Sequence, residues 1–215
     1  MHKKVKIDFV SDISCPWCAI GLQSLQTALE SLEGEVEADI HFQPFELNPN
    51  MVLEGQDIEA HLHEKYGSTP EQSAAARENI RARGEALGFT FRMEKRARIY
   101  NTFDAHRLLH LAVGQPAVQL ALKKALLNTY FTEGQDPSDH AVLKRVAQSV
   151  GMDMQAVIEV LESDKFVAEV RAQERWYQHQ GINSVPAVIL NDKHLISGGQ
   201  PPEVFAQALR QVAAL

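Results

Sequence analysis

Pro16 stands between two cysteines in Ser14-Cys15-Pro16-Trp17-Cys18, where an extended run gives way to a helix-forming one. Proline lacks an N–H and has its φ fixed near the helical value, so it suits the first position of a helix. That placement makes Cys15 the N-cap. It aims the unpaired amides of Trp17 and Cys18, and the positive end of the helix dipole, at the Cys15 sulfur. Both effects favour thiolate over thiol. A cysteine so placed has its pKa lowered from ~8.5 into the range ~3.5–7.5. Thiolate is the nucleophile of disulfide exchange.

Cys18 lies one helical turn further on, close enough for a short bridge. Leu22, Leu25, Leu29 and Leu32 follow it at spacings of four, three, four and three. At ~100° per residue they fall within about 40° of Cys18 around the helix. Cys18 therefore belongs to the buried stripe, and Cys15, about 60° off it, is expected at the exposed end. An accessible attacking thiol and a buried second thiol is the arrangement this predicts.

These are the only two cysteines of the 215 residues. A closed zinc site needs four ligands, and of the nine histidines only His61 and His63 form a tight pair. No metal is expected. A net charge of −7 argues against nucleic-acid binding. Nor is there a basic amphipathic segment for a membrane surface or a stretch of transmembrane length. The opening Met1-His2-Lys3-Lys4-Val5-Lys6-Ile7-Asp8 runs its charges into an alternating strand, with no apolar core of a signal peptide. The cytoplasm is the expected compartment, where paired cysteines are catalytic or metal-binding rather than structural.

Val5, Ile7 and Phe9 alternate with charged residues and read as a strand. The helix from Pro16 to Leu32 follows, then a strand over Val36–Leu47. Asp57 to Gln180 shows helical patterns and no convincing strand, in segments 57–66, 70–87, 98–113, 116–131, 138–150, 153–161 and 165–180. Strand character returns at Val185–Leu190 and His194–Ile196, and a last helix opens at Pro201 or Pro202. The order is βαβ, a helical block, then ββα. Residues 1–56 and 181–215 are read as two halves of one α/β domain, and 57–180 as an all-helical insertion.

A C-x-x-C at a βαβ unit is a thioredoxin-like redox signal. The wider pattern resembles the DsbA-type thioredoxin fold with its large helical insertion, and within it the cytoplasmic FrnE-like oxidoreductases. The residues that carry this are Asp8–Asp12 leading into Cys15-Pro16-Trp17-Cys18; Phe42–Pro49; Asn101-Thr102 with Ala105–Leu108; Gly181–Pro186; and Ile196–Pro201. The resemblance implies a protein disulfide oxidoreductase or isomerase with a redox-active Cys15–Cys18 disulfide. It needs no bound cofactor and acts on disulfide or dithiol proteins and peptides, with glutathione as a candidate reductant. It also implies a cis Val185–Pro186 bond facing Cys15, with the Val185 backbone turned to an extended substrate. Trp17 is expected on an apolar substrate-contacting rim. Asn101 and His106 are expected on a helix roofing the site, with His106 toward substrate or the Cys15 sulfur, or equally a satisfied histidine at the domain junction.

Asp12 and Glu46 are candidates to take the Cys18 proton, against a plainer reading as solvated strand-end charges. The basic stretch from Arg77 to Arg98 is interleaved with glutamates and reads as a salt-bridged helix face before it reads as an anion site. Two other functions fit the layout. Kappa-class glutathione transferases and 2-hydroxychromene-2-carboxylate isomerases are similar in layout but generally carry a serine and no second cysteine. A redox-independent chaperone or binding module would use the apolar surface around Trp17, Val185 and Pro186.

Overall fold

The computed structural model describes residues 3–214; Met1 and His2 of the charged opening run, and Leu215, lie outside them. Strand β1 (Lys3–Ser11) alternates Val5, Ile7 and Phe9 toward one face, where all three are buried. Helix α1 (Pro16–Ser31) starts on its proline. It carries Cys18, Leu22, Leu25 and the following Leu32 into the core, each wholly or almost wholly buried, while Leu29 is half-buried at its edge. Burial of each such leucine contributes about 1.5–3 kcal/mol. Gly34, at φ 84°, turns the chain back.

Strand β2 (Val36–Pro44) pairs parallel with β1, placing Ile40 beside Ile7 and Phe42 beside Phe9. A parallel pair needs a crossover, and α1 supplies it. The strand ends three residues before the expected Leu47, because Pro44 cannot donate to the ladder. Strand β5 (Ala187–Leu190) pairs antiparallel with β1, and β6 (His194–Ser197) with β5. The sheet order is β2-β1-β5-β6. Helix α9 (Pro202–Ala214) packs beside α1 on the same face. The chain has the α/β thioredoxin fold expected, with a helical insertion between its βαβ and ββα parts.

The insertion comprises α2 (Ile58–Tyr66), α3 (Pro70–Ala86), α4 (Phe103–Leu111), α5 (Pro116–Phe131), α6 (His140–Ser149), α7 (Met154–Leu161) and α8 (Val167–His179). Their starts are locally encoded. Asp57, Asp139 and Asp153 accept amides as N-caps, and Thr69 forms a capping box with Gln72.

Two features depart from the expected block. A two-stranded ladder of β3 (Gln56–Asp57) and β4 (Arg98–Ile99) lies within it. The helix expected from Arg98 starts five residues later, where Asn101 Oδ1 accepts the Phe103 amide at 2.8 Å. Strands of two residues have no periodicity to read; this ladder is set by tertiary contacts. The insertion also shares its core with the sheet. Ile80, Phe89, Phe91, Leu127, Tyr130 and Phe131 pack in one cluster with Val5, Ile7, Phe9 and Leu25. A second cluster joins α4 to α7 around Leu108, Leu126 and Leu143, and reaches Ile13 of the motif loop.

Candidate active site

Cys15 is the N-cap of α1, with φ −92° and ψ 112°, and Pro16 is the first helical residue. Its sulfur takes no cap hydrogen bond of full geometry, and the Cys18 amide donates instead to the Cys15 carbonyl at 3.1 Å. The Cys15 thiol is nonetheless held below its ordinary pKa, first by the hydrogen bond from the Cys18 thiol. Burial opposes this, and the nearby Cys18 and Trp17 amides assist it. The Cys18 thiol is pushed well above its ordinary value, first by burial and then by its contact with the Cys15 sulfur. Both cysteines are unbridged.

Cys15 is not at an exposed end: only 3% of its surface is accessible. The helix wheel describes α1 alone, and loops from other parts of the chain cover this turn. The Cys15 thiol donates to the Val185 carbonyl at 3.5 Å, and the Val185–Pro186 peptide is cis. Cys15 opens instead into a groove of about 670 Å³. One wall is Ser14 to Trp17 with Asn183–Val185. The other is the Phe45–Asn48 segment and the inner faces of α2 and α3. Trp17 is half-buried on the groove edge, with the Arg83 guanidinium 5.4 Å from its ring centre. An adjoining cleft of about 560 Å³, lined by Leu47–Val52, Gly55, Gln56 and His61, holds no cysteine.

Trp17 and Val185 thus meet Cys15 at the groove, and Pro186 is buried directly behind it. Asn101 and His106 do not line the groove. Asn101 holds the start of α4 and donates to the Met51 carbonyl at 3.3 Å. His106 is buried, with Nε2 3.5 Å from an Asp12 oxygen, ion-pair range without hydrogen-bond geometry. The ring is packed against Asp12 in the core, and this removes it from substrate.

The plainer reading of Asp12 and Glu46 as solvated charges fails. Asp12 is completely buried. It accepts from the Ser14 hydroxyl (2.8 Å), the Leu47 amide (2.7 Å) and the Thr102 hydroxyl (2.8 Å), with the Ser14 amide at 3.3 Å. Burial by itself raises its pKa; His106, the Leu47 amide and Thr102 outweigh burial and bring it down to about 2. Asp12 therefore ties the cysteine loop, the segment after β2 and the insertion together. Glu46 is buried against Arg171, and burial pushes its pKa up to about 8.

The basic stretch divides. Arg81 pairs with Glu78 and Glu85 on an open helix face, as the spacing predicts. Arg77 and Arg96 turn into the groove with Lys65 and His61. Arg96 packs its guanidinium on the Tyr130 and Phe131 rings and donates to the Ser14 carbonyl at 3.3 Å. Sequence reasoning also missed Lys123, a wholly buried lysine on α5. It follows Gln119 by four residues and precedes Leu126, Leu127 and Tyr130 by three, four and seven, so it stands on the buried stripe. Among the described residues no group of three His, Cys, Asp or Glu side chains is arranged to hold a metal, and no helix is long and apolar enough to cross a membrane.

The DSBA-like thioredoxin domain profile matches residues 6–210. A probable DsbA oxidoreductase from Streptomyces coelicolor superposes with TM-score 0.89 at 34% identity, covering 98% of this chain and 90% of that one. A 2-hydroxychromene-2-carboxylate isomerase superposes with TM-score 0.71 at 16% identity, over 96% and 95% of the two chains. The cytosolic disulfide reductase DsbM of Pseudomonas aeruginosa, solved with GSH, gives 0.67 at 15% identity, over 98% and 100%. The match over nearly the whole length, on a sheet that carries Cys15 at the start of its crossover helix, decides the assignment: the chain belongs to the DSBA-like thioredoxin domain family.

Proposed function

We propose that this protein is a FrnE-like, cytoplasmic thiol–disulfide oxidoreductase, able to act as an isomerase, in which Cys15 attacks and Cys18 resolves. The observation that carries the reading is the placement of two thiols one helical turn apart. Cys15 lines the groove with its sulfur 3.5 Å from the Val185 carbonyl, and Cys18 is wholly buried outside it; their pKa directions, Cys15 down and Cys18 up, agree with this placement. Cys15 thiolate attacks a substrate disulfide, and one substrate sulfur leaves as thiolate. Cys18 then loses its proton and attacks the Cys15 sulfur. Reduced substrate departs, and the Cys15–Cys18 disulfide holds the two electrons' worth of oxidation. The reverse sequence oxidises a dithiol, and the reduction potential sets the direction.

Substrates in this reading are extended segments of disulfide proteins and peptides, seated between Trp17 and the Val185 backbone. Glutathione is the proposed electron donor. Lys65 and Arg96 place cations in the groove of a chain whose net charge is −7, beside Arg77, whose guanidinium is paired with Glu59, and this suits a thiol bearing two carboxylates. The DsbM reductase with GSH is the precedent for such a ligand on this fold. Glutathione-dependent isomerisation without thiol exchange has no use for a second cysteine beneath the first.

Two variants test the proposal in disulfide exchange with an oxidised peptide. Cys15→Ser is expected to abolish turnover, and Cys18→Ser to accumulate protein–peptide mixed disulfide visible by non-reducing mass spectrometry. Exchange that persists in Cys15→Ser refutes the mechanism.

A further inference from the structure

The cleft that adjoins the groove is walled by a loop folded on itself. The Asn48 carbonyl accepts the Met51 amide at 3.0 Å, and the Val52 carbonyl accepts the Gly55 amide at 2.9 Å. The insertion braces this loop from behind. Asn101 donates to the Met51 carbonyl at 3.3 Å, and Arg98 to the Glu54 and Gly55 carbonyls, each at 2.9 Å. A cavity formed in advance needs little ordering when a ligand enters. Leu47, Asn48 and His61 line both the cleft and the groove, so the two meet along these residues.

Their chemistry differs. Glu46, Lys65, Arg77 and Arg96 bring ionisable groups to the groove, whereas no aspartate, glutamate, lysine or arginine lines the cleft. Val52 on the cleft wall is 58% exposed, and Leu53, next on the loop, is 76% exposed, more than any other large apolar residue among those described. Open apolar surface beside a reactive thiol suits a partner that covers it. Glutathione has one residue on each side of its cysteine and little apolar surface. A polypeptide continues past its cysteine and can carry an apolar side chain into such a cleft.

His61 stands at the junction, 8% exposed. Its Nδ1 lies 2.7 Å from Gln56 Oε1, and Gln56 Nε2 donates to Glu64 at 2.6 Å. The second bond fixes which end of the Gln56 amide is oxygen, so the ring proton sits on Nδ1. Burial, helped by Lys65, holds the ring below its ordinary pKa, and it is neutral near neutral pH. Nε2 is then an acceptor, and nothing among the described residues donates to it. Nearby acceptors are taken: Lys65 Nζ donates to the Leu47 carbonyl and to Asn48 Oδ1, each at 2.7 Å. A largely buried acceptor without a donor is costly until a ligand supplies one. We infer that the cleft is a second subsite for polypeptide substrates, taking an uncharged apolar side chain on one side of the attacked cysteine, while His61 Nε2 accepts a backbone N–H of the same segment as it crosses from groove to cleft. The inference rests on the oxidoreductase reading above.

The probes are peptides of glycine and serine with one cysteine, each joined through a disulfide to thionitrobenzoate. Release of the coloured thiolate by the reduced protein gives a second-order rate constant. Leucine in place of serine, moved outward from the cysteine on either side, is expected to raise that rate about tenfold at one position, as burial of one leucine allows. Val52→Asp puts a charge on the cleft wall at an exposed site and is expected to bring the leucine-to-serine ratio close to one. Val52→Lys makes the same measurement should the aspartate variant not fold. The ratio cancels any change in exchange itself. N-methylation of the leucine peptide, one amide at a time, is expected to find one amide whose N–H is worth about threefold to tenfold in the wild type and nothing in His61→Phe. Equal effects in the two proteins overturn the part assigned to His61. Absence of any favoured position, or a preference that survives both Val52 variants, overturns the subsite and leaves disulfide exchange standing. A dimer in sedimentation that Val52→Asp dissolves gives the cleft to a second copy of the chain and overturns the inference. Failure of the wild-type protein to release thiolate from any peptide overturns the oxidoreductase reading and the subsite with it.

Discussion

Asp12 makes the sharpest stability prediction. Its carboxyl is held at about 2, against 3.8 for an unperturbed aspartate. That displacement is worth about 2 kcal/mol of folding free energy when the group is ionised. The sign follows from the direction. The folded-state value is depressed, so the contribution is complete above the unfolded value of 3.8 and is lost as pH falls through the folded value of about 2. Asp12→Asn preserves shape but cannot ionise, and turns an NH2 group toward donors from Ser14, Leu47 and Thr102. At neutral pH the variant is expected to lose about 3–5 kcal/mol, the usual cost of removing one partner from a buried charged cluster. Urea unfolding of both proteins across the acid range isolates this carboxyl, because every other group titrates in both. The stability gap is expected to narrow by about 2 kcal/mol from pH 5 downward, most of it below pH 4. A gap that stays constant over that range refutes the reasoning, since Asp12 would then titrate alike in the folded and unfolded chains.

Two further predictions follow from the motif. The pH dependence of iodoacetamide alkylation is expected to place Cys15 below the ordinary thiol, and Cys18→Ala to move it up, because the Cys18 thiol is the first cause of the lowering; equal midpoints in the two proteins contradict this. A β-carbon at Gly21 would stand 3.0 Å from Pro186 Cγ. Gly21→Val is therefore expected to cost about 1–3 kcal/mol by overpacking and to lower the exchange rate by shifting Val185 against Cys15; a denaturation midpoint and exchange rate equal to those of the wild type refute this contact.

What the sequence shows is what is local. The helix start at Pro16, the Cys18–Leu32 stripe and the helices that Asp57, Thr69, Asp139 and Asp153 cap depend on neighbours a turn away, and those helices start within two residues of the segments the sequence offers. What depends on distant parts of the chain was hidden. The cover over Cys15 comes from Val185, 170 residues away, and from the insertion. The β3–β4 ladder joins two-residue strands with no pattern of their own. Asp12 reads as a strand-end charge, yet a partner 90 residues on, Thr102, makes it a buried hub. Asn101 and His106 were placed at the groove by resemblance, and contacts to Met51 and Asp12 hold them elsewhere. Lys123 was within reach, because a lysine in register with Gln119, Leu126 and Tyr130 breaks an otherwise apolar stripe.

The most direct test is equilibration of the reduced protein in glutathione redox buffers, followed by acid quench, thiol alkylation and mass spectrometry. The account predicts a two-electron transition to a species with an intramolecular Cys15–Cys18 disulfide. Its midpoint reads the direction: near about −270 mV for a reductase, nearer about −120 mV for an oxidant or isomerase. If both thiols remain free, or Cys15 carries only glutathione at every poise, the two cysteines are not a redox couple and the central claim is wrong.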